Sequence, residues 1–120
     1  MGAFFLMRMN DHLQYLNRLH ATLGGRGDFR GSDHHDCKLG QWLYTKGRVE
    51  SGEIGPDAQS LFDSIIEPHR LFHEASSQAL EFKEAGNQAA AEEKLTEMHQ
   101  LSGLLVEKLL KLDTLAAGKK

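Results

Sequence analysis

The stretch DAQSLFDSIIEPHRLFHEASSQAL, residues 57–80, decides the fold. Leu61, Phe62, Ile65, His69, Phe72, His73, Ser76 and Leu80 keep a helical period and trace one inward stripe. Pro56-Asp57 is a start signal and Ala85-Gly86-Asn87 is the next punctuation. Pro68 falls inside the pattern, where proline removes a backbone hydrogen bond and usually kinks a helix. The apolar period survives on both sides, so the spacing predicts one helix, continuous or bent at Glu67-Pro68.

Outward from this helix, two more segments carry the same signal. Phe5, Met9, His12, Leu16, Leu19 and Leu23 follow each other at alternating steps of four and three, predicting a helix over about 3–23 that Gly24-Gly25 stops. Leu95, Met98, Leu101, Leu105, Leu109 and Leu112 predict a last helix over about 88–116, with Leu104, Val106 and Leu110 widening its apolar face. Between the first two helices lies glycine-rich, polar chain. Residues 24–36 read as a loop, and Cys37-Lys38-Leu39-Gly40-Gln41-Trp42-Leu43-Tyr44 as a short helix with Asp33 or Asp36 to cap it. Gly47 is read as its end, and residues 48–56 as a second loop. No segment reads as a strand. The expectation is an all-α fold: an antiparallel four-helix-type bundle of three long helices plus a short cysteine-bearing one.

At 120 residues the chain suits a single domain spanning 1–120. A net charge of -3, with no basic stripe, gives no footprint for nucleic acid. The longest apolar run, Ala3-Phe4-Phe5-Leu6-Met7, is far short of the roughly 20 residues of a membrane span, and no signal-peptide pattern is present. One cysteine cannot form an internal disulfide, which agrees with a cytoplasmic setting. The wide face of the last helix, with Phe4 and Phe5, exceeds what one small bundle must bury, so a homodimer through these helices is expected.

Seven histidines is a high count for this length, and three of them fall on inward stripes. His69 and His73, four apart, place both imidazoles on one helix face where they can share an ion. His12 interrupts an apolar stripe, so its ring nitrogens need buried partners. Singly, the ordinary outcome for such a residue is a hydrogen bond to a backbone carbonyl. Cys37 heads the short helix, where a helix amino terminus favours the metal-binding thiolate, and Trp42 and Tyr44 stand near enough in sequence to wall off a site. Three neutral imidazoles and one thiolate make a tetrahedral set suited to zinc. Copper accepts similar ligands, and zinc is chosen on geometry and availability. His34, His35, His20 and His99 read as solvated or partly buried histidines, with one of the loop pair available as a transient ligand.

The run from His34 to Tyr44, with Cys37, Leu39, Gly40 and Trp42 in register, resembles the C-x-L-G-x-W signature of the chemoreceptor zinc-binding domain. Pro68-His69 followed by His73 resembles that family's P-H-x-x-x-H element, and Asp11-His12 its first-helix pair. The resemblance covers about Phe5 to Leu112. It implies a helical bundle with Zn2+ held by His12, Cys37, His69 and His73, often dimeric, regulating a bacterial chemoreceptor or diguanylate cyclase.

Catalysis is not expected. Four protein ligands leave no open zinc position. His69 and His73 enclose Arg70, Leu71 and Phe72, so no H-E-x-x-H motif occurs, and no phosphate-cradling loop is present. The remaining readings are a sensor of zinc level, a sensor in which Cys37 is oxidised, or a structural zinc in an interaction module. The sequence contains no second core, so any output must come from a partner protein or a separate signalling domain.

Overall fold

The computed structural model describes residues 5–118. Ala3, Phe4, Lys119 and Lys120 therefore lie outside the described residues. The chain forms five helices: α1 (Phe5–Leu23), α2 (Lys38–Leu43), α3 (Gly47–Ile54), α4 (Pro56–Glu84) and α5 (Gln88–Gly118). No strand occurs among the described residues. The all-α bundle expected from the sequence is what forms, with α1, α4 and α5 as its long members. The molecule measures 52 × 20 × 19 Å, so α5, at about 1.5 Å per residue, runs nearly its whole length. The turn 85–87 folds α5 back antiparallel to α4, and Asn87 caps it by accepting the Ala90 N–H at 3.2 Å. α5 is antiparallel to α1 as well, since His12 meets Ser102 and His20 meets His99. α1 and α4 run in the same direction, because residues 24–55 carry the chain back before α4 begins.

The core follows the stripes. Phe5, Leu16 and Leu19 of α1 meet Phe62, Ile65 and Phe72 of α4 and Met98, Leu105, Leu109 and Leu112 of α5. Burying each such side chain contributes about 1.5–3 kcal/mol, which outweighs the hydrogen bond lost at Pro68. α4 accordingly stays helical through Pro68 from Pro56 to Glu84. No described helix is long and apolar enough to cross a membrane. Phe5 is fully buried, edge-on to Trp42 at 5.5 Å between ring centroids, so it serves the core and not the free apolar surface expected of it.

The segment read as a second loop, 48–56, is corrected by α3. Gly47 starts this helix and does not end the previous one. A Cβ on Gly47 would lie 2.6 Å from the Phe62 ring and 3.0 Å from the Trp42 carbonyl oxygen. The glycine is there for close approach, not for a chain break. Ser51, one turn on, is fully buried, and the Trp42 indole N–H donates to Glu50 at 2.8 Å. α3 is thus held by small residues and by polar ties, the Trp42–Glu50 bond and Arg48 donating to Asp63 of α4 at 2.7 Å, with no apolar stripe to announce it. Trp42 itself packs between Phe5 and Phe62 and anchors this end of the bundle, so it does not wall off the histidines.

Candidate metal centre

Cys37 is held by its own backbone role. It is the N-cap of α2, with Sγ accepting the Gly40 N–H at 3.2 Å, so neither Asp33 nor Asp36 caps this helix. Gly40 is required by a close crossing: a Cβ there would sit 1.8 Å from the His34 carbonyl oxygen. The loop carrying His34 and Cys37 therefore lies directly on the first turn of α2.

One helix turn apart on α4, His69 and His73 are both buried. Their ligand atoms and Cys37 Sγ lie within 4.8 Å of one another. His69 Nε2 is 3.3 Å from Sγ. A tetrahedral zinc with Zn–S about 2.3 Å and Zn–N about 2.0–2.1 Å separates sulfur and nitrogen by about 3.6 Å, so this edge needs a shift of only a few tenths of an ångström. The other ring nitrogen of His69, Nδ1, is buried with no hydrogen-bond partner, an arrangement costing about 1–3 kcal/mol. His73 is oriented by its other nitrogen: Nδ1–H donates to the Ser32 carbonyl at 2.9 Å. That carbonyl can only accept, so Nε2 keeps its lone pair. Tyr15 ties the same point together, its hydroxyl accepting the Ser32 N–H at 2.7 Å and lying 3.1 Å from His73 Nδ1.

His12 stands beside this group, its ring 4.7 Å from Phe72, and is not in the set of mutually close donors. Its Nε2 meets Ser102 Oγ of α5 at 2.8 Å. With the proton on Nε2 and donated to that oxygen, Nδ1 holds the free lone pair. Ser102, Tyr15 and Ser32 were not singled out by sequence reasoning. Ser102 had a legible signal: it is the polar residue on the inward stripe between Met98 and Leu105, the same pattern that marks His12 on α1.

Electrostatics suit a metal. Burial, reinforced by His73, lowers the His12 pKa to about 4. Burial, with His73 and His12, lowers that of His69 to about 3. Burial lowers that of His73 to about 4, opposed by its bond to Ser32. All three imidazoles are neutral donors at pH 7. Cys37 departs from the sequence expectation: burial raises its pKa, outweighing the N–H groups of Gly40 and Leu39 that pull it down. The metal-free centre is therefore a protonated thiol facing a neutral imidazole.

The other histidines are outside this donor set. His20 and His99 face each other across α1 and α5, Nε2 to Nε2 at 2.6 Å, at the surface. Asp33, His34 and His35 make a second close donor group on the loop.

A family model for the chemoreceptor zinc-binding domain matches residues 12–80, a span that starts on His12 and includes Cys37, His69 and His73. No curated protein and no solved structure shows significant similarity to the chain. Zinc is the cofactor of this family, and the Cys37 thiol with the neutral His69 and His73 imidazoles, their ligand atoms within 4.8 Å of one another, fit it. On the match over more than half its length, the chain belongs to the chemoreceptor zinc-binding domain family.

Proposed function

We propose that Cys37, His69 and His73, with His12 as the fourth ligand, hold one zinc ion, and that the domain serves as a regulatory switch and not as a catalyst. The observation that carries the reading is the Cys37–His69 pair, a thiol 3.3 Å from Nε2 of a fully buried imidazole, with His73 offering a third ligand atom within 4.8 Å of both. Bound zinc supplies a cross-link among α1, α2 and α4 and favours the thiolate over the thiol. Cys37 is the ligand that can change state. The same sulfur caps α2, so what happens to it is felt by the short helix and the loop before it. Under hydrogen peroxide, the Cys37 thiolate would attack one peroxide oxygen, giving sulfenic acid while the O–O bond breaks and the other oxygen leaves as hydroxide. The sulfenic acid is a poor zinc ligand and a poor cap.

Output belongs to a partner or a further signalling domain, of the chemoreceptor or diguanylate cyclase kind that the family's regulatory role suggests. We take the domain as cytoplasmic and as a homodimer. Exposed Leu6, Met7, Leu104 and Leu110 support the dimer, and light scattering showing a monomer at micromolar concentration would remove it. The alternative is a permanent structural zinc in an interaction module.

Elemental analysis tests the site: one zinc per chain is expected, and none would sink the proposal. Hydrogen exchange on chelation, with Cys37 kept reduced, separates switch from scaffold. A zinc switch loses protection over residues 24–46 and keeps it in α4 and α5. Global unfolding favours the structural alternative. A response to mild oxidant at constant total zinc, abolished by Cys37→Ser, identifies the oxidant as the signal.

A further inference from the structure

The buried site poses a problem of access. His69 is 0% exposed, His12 3% and His73 7%. A hydrated dication must shed water to reach such donors, and bare desolvation of a charge is very costly. Replacing the waters stepwise, with donors that sit outside and lead inward, lowers that barrier.

Such donors are present. Ligand atoms of Asp33, His34 and His35 lie within 4.8 Å of one another, at the surface. His35 Nδ1–H donates to Asp33 Oδ2 at 2.7 Å, which leaves Nε2 with its lone pair. His34 Nδ1 meets the Tyr44 hydroxyl at 2.9 Å, and with Nδ1–H as donor its Nε2 is free as well. The His34 ring lies 6.1 Å from that of His69 and 6.4 Å from that of His73. An open cleft of about 470 Å³, lined by Asp33, His34, Arg70, His73 and Glu74 among others, connects this group with His73. Cys37 follows His34 by three residues, and its Sγ is 3.8 Å from the His34 carbonyl oxygen.

We infer that Asp33, His34 and His35 are a loading station, which takes zinc from solvent first and hands it to Cys37, His69 and His73. The inference rests on the buried site proposed above. Asp33 supplies one negative charge to the incoming dication, and His34 is the donor nearest both groups. As the ion moves inward, imidazoles replace its waters, and the half-buried Cys37 thiol gives up its proton to solvent. A station used only in transit speeds uptake and release by the same factor and leaves the equilibrium unchanged. Permanent ligands do the opposite: they alter affinity.

The test is zinc exchange on the full chain. Uptake is followed by stopped flow as metal-free protein draws zinc from a fluorescent chelator, and release by mixing loaded protein with excess chelator. In the His34→Gln/His35→Gln double variant both rates should fall severalfold, with affinity and one-zinc stoichiometry unchanged. His35→Gln alone, at an exposed position, should show a smaller effect of the same kind if the double variant loses helicity. Unchanged rates would overturn the station. So would weaker affinity with faster release, which would make these residues standing ligands. If the unmodified protein binds no zinc, the buried site itself fails, a result distinct from unchanged exchange at a site that does bind.

Discussion

The α4–α5 hairpin and the segment 24–46 meet at the metal centre, and they are held by different forces. The hairpin is apolar: Phe62, Ile65 and Phe72 face Met98, Leu105, Leu109 and Leu112, all buried. The segment buries Leu39, Trp42 and Leu43 near its end, and its earlier part has one apolar anchor, Phe29, edge-on to Tyr15 at 5.1 Å and beneath Arg18, and otherwise hangs on polar contacts. Thr22 donates to the Phe29 carbonyl at 2.6 Å, Tyr15 accepts from Ser32, and Cys37 caps α2. Two of the proposed ligands, His69 and His73, are on the hairpin, and Cys37 is on the segment. On the proposed reading, a metal there would join the apolar hairpin to a segment whose order depends on it. On that reading the free energy of binding would go largely into ordering the segment.

Removing the cysteine tests this most severely. Cys37→Ser or His73→Ala should weaken zinc binding by more than about 100-fold, beyond what loss of a supporting residue costs, in a competition titration against a chelator. The hairpin should keep its helicity by circular dichroism. If either variant melts α5, the two regions are one cooperative unit and the contrast disappears. Leu109→Ala attacks from the other side. Leu109 is fully buried on α5, and its truncation should cost about 2–5 kcal/mol of stability in denaturant unfolding. Zinc affinity of the folded protein should change little. A proportionate loss of affinity would show that the hairpin is not an independent frame.

Acid gives the next effect. His12, His69 and His73 have pKa values of about 4, 3 and 4 in the folded state, against about 6.5 when unfolded. Between these values the unfolded chain binds more protons, so falling pH favours unfolding. The metal-free protein should be at full stability above about pH 6.5 and lose it progressively toward pH 3–4, the range of the folded-state values. One pKa unit is worth about 1.4 kcal/mol, so even one of these groups outweighs an ordinary surface substitution. A flat midpoint between pH 7 and 5 in urea titrations would mean that these imidazoles are solvated, and the burial argument would fall. Zinc should move the loss to lower pH, since it must be displaced before the imidazoles protonate.

The same contrast explains what the sequence could say. The hairpin and α1 were legible because an apolar stripe states both the helix and its buried face. His12, His69 and His73 were legible because each breaks or joins such a stripe. α3 was not, since Gly47 and Ser51 make close packing possible by being small, and small residues read as loop. Nor was the state of the Cys37 thiol. A helix start lowers a thiol pKa in general, but burial at this one raises it, and burial of a single residue beyond any stripe is set by tertiary packing. The polar ties made by Tyr15, Ser32 and Ser102 join residues 17, 41 and 90 positions apart, with no local pattern to mark them.

Ser102 gives the smallest effect and the finest test of how the two regions are joined. It lies on α5, outside residues 12–80 matched by the family, yet its Oγ is 2.8 Å from His12 Nε2. A hydrogen bond on the second nitrogen of a ligating imidazole fixes ring orientation and tautomer, and its loss typically costs 10–100-fold in metal affinity. Ser102→Ala should therefore weaken zinc by about 10-fold or somewhat more, and cost about 1–3 kcal/mol of stability, because it leaves the buried His12 Nε2–H without its partner. His12→Ala should weaken it further, and adding Ser102→Ala to that variant should do nothing more, since the serine acts only through the ring. Additive losses would mean that Ser102 supports the centre by another route. No loss in either variant would leave His12 a buried histidine satisfied by α5, and the zinc would rest on Cys37, His69 and His73 with one position open. That outcome would weaken the argument from a closed shell against catalysis, so the serine on α5 bears on both the ligand count and the function.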